Sequence, residues 1–190
     1  HTLRWDTLAP YFAWQRDRLL VCAAVLAVLI LGVLDGLLLA IGISLFLTLK
    51  GLTEARIAVL GRLKDSHDFI DLALYPHAKV EPDILVVRPE APMFFWNAER
   101  LMVLLQRTLA QHGAAEVVVL SLEESPDLDG SCIEALREFS QQLQRSGQHL
   151  IVARLKSKAY AVLQRAHLPG VTLTVLSIDE AVTLARRQTA

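Results

Sequence analysis

The residues most open to chemistry lie in one loop and the turn that follows it, Ser125-Pro126-Asp127-Leu128-Asp129-Gly130-Ser131. Glu123, Glu124, Asp127 and Asp129 make this segment acidic. Clustered carboxylates can hold a cation, but calcium loops space them as Asp-x-Asp-x-Asp-Gly, and that order is absent. The four acids therefore read as solvated loop charge. Ser131 opens onto two chemistries. Ser131-Cys132-Ile133-Glu134 has the form of a capping box, in which the serine hydroxyl and the glutamate satisfy each other's backbone N–H groups. The same place offers free N–H groups and the positive end of a helix dipole, which tolerate an added phosphate. The cap is the first reading and the phosphoacceptor the second. Asp129, Gly130 and Ser131 together are read as a regulatory or partner-binding loop.

Nothing else in the chain assembles a reaction. The six histidines, His1, His67, His77, His112, His149 and His167, have no metal-ligand spacing. Cys22 and Cys132 are expected to be free thiols, as in a reducing compartment. There is no Walker A lysine motif and no Gly-x-Gly-x-x-Gly. With no nucleophile, base and orienting partner to be found together, the chain is not expected to be an enzyme, nor to carry a metal or other cofactor. A formal net charge of −1, with no basic stripe interleaved with aromatics, leaves nucleic acid without a surface to bind.

The elements that would position the loop fall into two stretches of different composition. Apolar residues make up 53% of the 190 and mean hydropathy is +0.39, but the excess is local. From Leu19 to Leu49 the only charged side chain is Asp35. One helix over that run would be roughly 46 Å long, against about 30 Å of bilayer hydrocarbon. It is too long for one comfortable span and short for two full ones. Leu31-Gly32-Val33-Leu34-Asp35-Gly36 breaks it near the middle, so a pair of short membrane helices is expected, turning at Asp35 and Gly36. Gly32, Gly36 and Ala40 recur at the four-residue spacing that lets helices approach closely. Arg16 and Arg18 precede the run and Lys50, Arg56, Arg62 and Lys64 follow it, which places both ends in the cytoplasm. Asp35 could line an ion path; a turn where the helices meet water or a neighbour is the plainer reading. Trp5, Tyr11, Phe12 and Trp14 suit the membrane–water interface. The apolar run is too long for a signal-peptide core, and a chain that starts at His1 is expected to be part of a longer protein.

Beyond the run, residues 51–74 read as a connector, helical over Leu52 to Leu60 and polar afterwards. From Ile84 the pattern alternates. Ile84 to Arg88 and Met93 to Trp96, around Pro89-Glu90-Ala91-Pro92, read as a β-hairpin. Asn97 is placed to cap a helix with Ala98, Leu101, Met102, Leu105 and Leu109 on one face. Val117 to Leu120 and His149 to Ala153 are continuous apolar runs, the mark of strands buried on both faces. Between them Cys132, Leu136, Phe139 and Leu143 form one helical stripe. Ala159, Val162, Leu163 and Ala166 form another, Thr172 to Val175 the last strand, and Ser177-Ile178-Asp179-Glu180 a capping box for a final helix. The order β-β-α-β-α-β-α-β-α predicts an α/β domain over 75–190 with a mixed, mostly parallel sheet and packed helices.

This order, with the loop Leu128-Asp129-Gly130-Ser131-Cys132, resembles a STAS domain, the fold shared by bacterial anti-sigma-factor antagonists and the cytoplasmic ends of sulfate permease anion transporters. The family loop runs hydrophobic-Asp-Ser/Thr-Ser/Thr-Gly. Asp129 and Ser131 match it, Gly130 replaces a hydroxyl residue, and Cys132 replaces the glycine. In the antagonists the serine matching Ser131 is the phosphorylation target. Arg16-Asp17, the apolar run, the Asp35-Gly36 turn and Leu60-Gly61-Arg62 resemble the stretch that joins the last membrane helices of a sulfate permease transporter to its STAS domain, with Ala40 where members often carry a second glycine. The resemblance implies terminal membrane helices over 1–50, a connector over 51–74 and a cytoplasmic STAS domain over 75–190, in a multi-pass protein of a bacterial inner membrane. It implies transport of sulfate, bicarbonate or a dicarboxylate through a site in earlier helices. The STAS domain would regulate, stabilise or dimerise the whole. Expected partners are a second copy, the rest of the membrane domain, lipid, and a regulatory protein at the loop. The other reading is a membrane-tethered STAS signalling module resembling an anti-sigma-factor antagonist.

Overall fold

The computed structural model describes residues 33–53, 55–64, 66–113 and 115–189. The chain forms two compact units, divided between Thr53 and Glu54.

In the first unit the described element is helix α1, Val33–Thr53. Its apolar residues do not keep to one face. Leu34, Leu37, Leu38, Ile41 and Leu45 line one side and Leu39 and Phe46 another, and all seven are exposed. A helix apolar all round is one that water does not normally surround. Asp35 and Gly36, expected at a turn between helices, instead belong to the first turn of α1, where the carboxylate meets the positive end of the helix dipole. The uncharged stretch, Gly36 to Leu49, covers roughly 21 Å at 1.5 Å per residue. Among the described residues no helix is long and apolar enough to cross a membrane. The other arm of the expected helix pair, with the aromatic and basic residues before it, lies outside the described residues.

The second unit is built on a six-stranded sheet in the order β2-β1-β3-β4-β5-β6. The strands are β1 (Ile57–Arg62), β2 (Phe69–Asp71), β3 (Ile84–Pro89), β4 (Val117–Ser121), β5 (His149–Ala153) and β6 (Val171–Leu173). β3 through β6 are parallel, and β1 runs antiparallel to both β2 and β3. The helices are α2 (Ala98–Gln111), α3 (Gly130–Arg145), α4 (Ser157–Ala166) and α5 (Ile178–Thr189). Period-2 alternation decides which helix each strand residue meets. Leu85, Val87, Val118, Leu120, Leu150 and Val152 point to the face where Leu101, Leu105, Leu136, Phe139, Leu143 and Leu163 of α2, α3 and α4 close one core. Ala58, Leu60, Ile84, Val86, Val117, Val119 and Ile151 point to the other face and pack with Ala181, Val182 and Ala185 of α5. β4 is buried at every position, as its continuous apolar run predicts.

Two local expectations fail for physical reasons. Residues 57–60, read as the end of a helix over Leu52 to Leu60, belong instead to β1. Ala58 and Leu60 are buried while Ile57 and Val59 pack on the opposite face, so the segment keeps strand period against β3 whatever its local propensity. The expected hairpin is also absent, because β3 finds its antiparallel partner in β1. Met93 to Trp96 is a turn in which the N–H groups of Met93, Phe94 and Phe95 are taken by side chains, described below, and are not offered to a ladder. The sheet accordingly starts at residue 57.

Gly61 shows how tightly the extra strand is held. A Cβ at this position would lie 2.7 Å from Leu72 Cδ2, 3.0 Å from Ala78 Cβ and 3.2 Å from the Ala78 carbonyl carbon. The last is backbone, so the clash cannot be relieved by a rotamer change alone. Gly61→Val is expected to destabilise the chain by about 1–3 kcal/mol through overpacking, read as a lowered midpoint in chemical denaturation. An unchanged midpoint would mean that the contact between β1 and the 72–78 segment is not maintained in solution.

Candidate functional site

The loop singled out in the sequence sits where β4 hands over to α3, at the carboxyl ends of the parallel strands. Asp129 is the residue that organises it. It precedes α3 in extended conformation, and its Oδ1 accepts from the Cys132 backbone N–H at 3.0 Å, the geometry of an N-cap. Its Oδ2 accepts from the Phe95 N–H at 2.7 Å, 34 residues away in sequence. One carboxylate thus caps the helix and anchors the turn before α2. Burial alone would raise its pKa, but the backbone donors of Cys132, Phe95 and Ser131 outweigh that and hold the carboxyl below its ordinary value.

This corrects the reading of Ser131 as the cap. α3 begins at Gly130, so Ser131 is already its second residue. Its side chain is exposed and its hydroxyl makes no hydrogen bond among the described residues. Glu134, expected to complete the box, pairs with Arg137 one turn on. The true capping box is at α5. Glu180 accepts from the Ser177 N–H at 3.0 Å and from its hydroxyl at 2.8 Å, while Ser177 Oγ accepts from the Glu180 N–H at 3.3 Å.

The turn facing Asp129 is fixed by three further polar contacts. Asn97 is fully buried; its Oδ1 accepts from the Phe94 N–H at 2.9 Å and its Nδ2 donates to the Pro92 carbonyl at 2.9 Å. It stands at the start of α2, as expected, but its side chain closes the turn behind it and does not cap the helix. Ser125 Oγ, also buried, accepts from the Met93 N–H at 2.9 Å. The result pushes Phe95 and Trp96 outward, 63% and 62% exposed, with their rings edge to face beside the start of α3. The sequence reading assigned these aromatics to a strand. Their signal was two large rings following a double-proline segment that has no alternation.

Two of the four acids of the loop are ion-paired within the fold. Glu123 receives Arg88 from β3 at 3.2 Å and Arg154 from the end of β5 at 2.9 Å, and Asp127 receives Lys158 from α4 at 2.7 Å. Among the described residues no three His, Cys, Asp or Glu side chains group to hold a metal ion. Cys132 is fully buried beneath Asp129, and burial pushes its thiol up to about 12, which keeps it unreactive. The histidines scatter: His112 Nδ1 contacts the Thr108 carbonyl, His167 Nδ1 the Arg165 carbonyl, and His67 Nδ1 the Asp179 carboxylate. Asp129, Gly130 and Ser131 are therefore brought together at one helix start, while Asp35 and Gly36 belong to the other unit. The arrangement offers a fixed helix terminus, an outward hydroxyl and an aromatic pair.

Asp129→Ala is expected to cost about 0.5–2 kcal/mol, and Ser131→Ala to stay within about 0.5 kcal/mol of the parent, both by denaturant titration. Because the folded carboxyl of Asp129 lies below its unfolded value, its contribution is complete above the unfolded pKa and is lost as pH falls through the folded one. The difference between parent and Asp129→Ala should therefore shrink as pH drops below about 4. A larger loss for Ser131→Ala than for Asp129→Ala would reverse the assignment of the cap.

Comparison with known proteins places this geometry. The STAS domain family matches residues 75–181. The chain is 31% identical over 160 residues to sulfate transporter 1.1 of Arabidopsis thaliana, covering 78% of this chain and 25% of that one. The murine Slc26a9 anion transporter, in an inward-facing structure, superposes with a TM-score of 0.79 at 16% identity, over 96% of this chain and 30% of that one. An anti-sigma-factor antagonist of Thermotoga maritima superposes with a TM-score of 0.51 at 19% identity, over 57% of this chain and 92% of that one. At these identities the two structures speak for the fold alone. The chain spans about a quarter of the length of the plant transporter. Its relatives are sulfate transporters and STAS proteins, not enzymes. With more than half of its length matched, and with a helix-capping aspartate and a serine where the resemblance puts them, the chain belongs to the STAS domain family.

Proposed function

We propose that this chain is the C-terminal part of a secondary anion transporter, of the sulfate, bicarbonate or dicarboxylate class, in which the STAS domain regulates or assembles a membrane domain lying mostly in the preceding sequence. The observation that carries this reading is α1. A helix whose apolar side chains are exposed everywhere but along the stripe of Gly36, Ala40, Ile43 and Leu47, and which is joined within a few residues to a STAS sheet, needs lipid or other membrane helices as its solvent. Its one described hydroxyl contact agrees, since Thr48 returns its Oγ1 to the Ser44 carbonyl at 2.8 Å and so satisfies its own hydroxyl within the helix. The similarity to a sulfate transporter supports the same reading. Residues 1–50 then form the terminal pair of short membrane helices, 51–74 carry the end of α1 and the strands β1 and β2, and 75–190 hold the rest of a cytoplasmic STAS domain that pairs with a second copy.

The second reading, a tethered signalling module, draws on one observation: Ser131 is exposed and free of any capping role. It predicts that a charge at Ser131 alters partner binding with no change in stability. Ser131→Asp should leave the melting temperature within about a degree or two of the parent. On the transporter reading, uptake by the full-length protein should also be unchanged by it.

Topology tests the first reading. Gln15→Cys and Lys64→Cys, each in a background lacking the native cysteines, should both be shielded from a membrane-impermeant thiol reagent in intact cells and both react after lysis. Reaction at one site only would mean a single crossing. The fragment by itself should not accumulate sulfate or bicarbonate in liposomes. Saturable uptake by the fragment would place the substrate path within these residues.

A further inference from the structure

Phe95 and Trp96 stand edge to face, 6.1 Å apart, and turn most of their surface outward. Two large rings side by side in water are unfavourable. Their turn cannot easily swing them inward, since the N–H groups of Met93, Phe94 and Phe95 are held by Ser125, Asn97 and Asp129. The backbone also fixes which edge of the sheet they occupy. Glu90 donates its N–H to the Arg56 carbonyl at 3.0 Å, and Ile57 pairs with Pro89. Ala55 packs against the core that α2 closes. The chain coming from α1 therefore enters the sheet at the carboxyl ends of the parallel strands, on the edge that carries the 93–97 turn.

That edge is tethered short. Arg56 follows Thr53, the last residue of α1, by three residues, a reach of at most about 11 Å. The uncharged stretch of α1, roughly 21 Å long, falls short of about 30 Å of hydrocarbon. A helix shorter than the hydrocarbon thins the bilayer around it and draws its flanking residues toward the interface. An indole suits that depth, with an apolar body and one N–H for water or a lipid carbonyl, and a phenyl ring beside it adds apolar area. Glu90, Glu99 and Arg100, exposed near the pair, limit it to the interface, because charge is excluded from the hydrocarbon. Leu74, Tyr75 and Val80 are exposed too, but they lie toward the other end of β1, where Arg62 bridges Lys79. Six residues of strand, roughly 20 Å, separate that end from the tether. Apolar exposure is common to both edges; the tether distinguishes them.

We propose that Phe95 and Trp96 seat this edge of the STAS domain in the lipid interface, with both rings at the depth of the acyl carbonyl groups. The contact is apolar and selects no headgroup. It rests on α1 being a membrane helix, as proposed above, and gives the domain a second point of attachment.

The test keeps one tryptophan at a time in the 190-residue chain, reconstituted in phosphatidylcholine nanodiscs. Trp5→Phe and Trp14→Phe leave Trp96 alone. With Trp96→Phe added, Leu74→Trp reports on the opposite edge and Ile41→Trp on α1. Positions 41, 74 and 96 are exposed, so these exchanges leave the fold intact. Trp96 should lose fluorescence to phosphatidylcholine brominated near the carbonyl end of its chains, less to lipid brominated near the methyl end, and little to aqueous iodide. Added salt or anionic lipid should not change that signal. The Leu74→Trp reporter should answer to iodide and to neither lipid. Lipid quenching at Ile41→Trp without quenching at Trp96 overturns this inference and leaves the membrane reading of α1 standing. Quenching of Ile41→Trp by iodide alone overturns both. Equal lipid quenching at the two edges removes the role of the tether and overturns the proposal. So does protection of Trp96 from lipid and iodide alike, which would mean a protein partner on the pair, and so does a signal that needs anionic lipid, which would mean attraction by charge.

Discussion

The carboxylate of Glu81 is the contact on which the arrangement of this domain turns. Its side chain is only 3% exposed, yet it is charged, and it stays so because two cations reach it from different elements. Arg62 comes from the end of β1 and Arg186 from α5. Burial opposes ionisation, and the guanidinium groups of Arg186 and Arg62 overcome it and keep the acid below its ordinary pKa. A buried charge pair is a weak source of net stability and a strong constraint on arrangement, since separating the partners strands a charge in low dielectric. What it constrains here is the antiparallel edge. β1 must lie beside β3, α5 must cover that face, and Arg62 must take Asp179 of α5 as its second partner. The STAS core can be drawn from its parallel strands alone; Glu81 ties the added edge to it.

Asp129 does for the other end of the sheet what Glu81 does for this one, by a different route. It has no cation. Its charge is held by backbone N–H groups from its own helix and from the turn before α2. Capping and cross-linking by a single carboxylate mean that α3 and the 93–97 turn share one fate. Asn97 and Ser125 complete that turn from beneath. The exposed aromatics are therefore presented on a rigid base, which is what recognition by a partner requires of a loop.

The parallel core was legible because its sequence and its environment agree. Val117 to Leu120 and His149 to Ala153 are runs that only a strand buried on both faces can satisfy, and the stripes of α2, α3 and α4 match the strands they cover. The β1 segment was not legible, because Ala58, Leu60 and Gly61 are as compatible with a helix as with a strand until β3 is present to pair with. Met93 to Trp96 misled for the opposite reason. Its apolar and aromatic residues suit a strand, and nothing local reveals that Asn97, Ser125 and Asp129 will take its N–H groups. Asp129 and Ser131 were found together, but their roles were exchanged. Asp and Ser cap helices about equally well, so the pattern could not decide between them; the helix starting at Gly130 did.

The position of the cap bears on what modification of Ser131 could do. A helix N-terminus ordinarily offers its free N–H groups to an incoming phosphate. In α3 two of those groups are committed. Cys132 gives its N–H to the Asp129 side chain at 3.0 Å, and Ile133 gives its N–H to the Asp129 carbonyl at 3.1 Å. A phosphate on Ser131 would have to displace Asp129 to use them, which would also release the Phe95 N–H and loosen the turn behind it. If it does not displace Asp129, its charge stays outside the helix, next to a carboxylate that is already ionised and beside Phe95 and Trp96. In the first case modification unfastens a rigid loop; in the second it changes the charge of a surface whose shape is kept. The two are separated by the Phe95 amide, whose protection from hydrogen exchange falls only if Asp129 lets go. Since the dipole attraction favouring displacement is about 0.3–1 kcal/mol and loss of the cap costs about 0.5–2 kcal/mol, the balance lies with the intact cap. A modified Ser131 is expected to act by charge on a fixed surface.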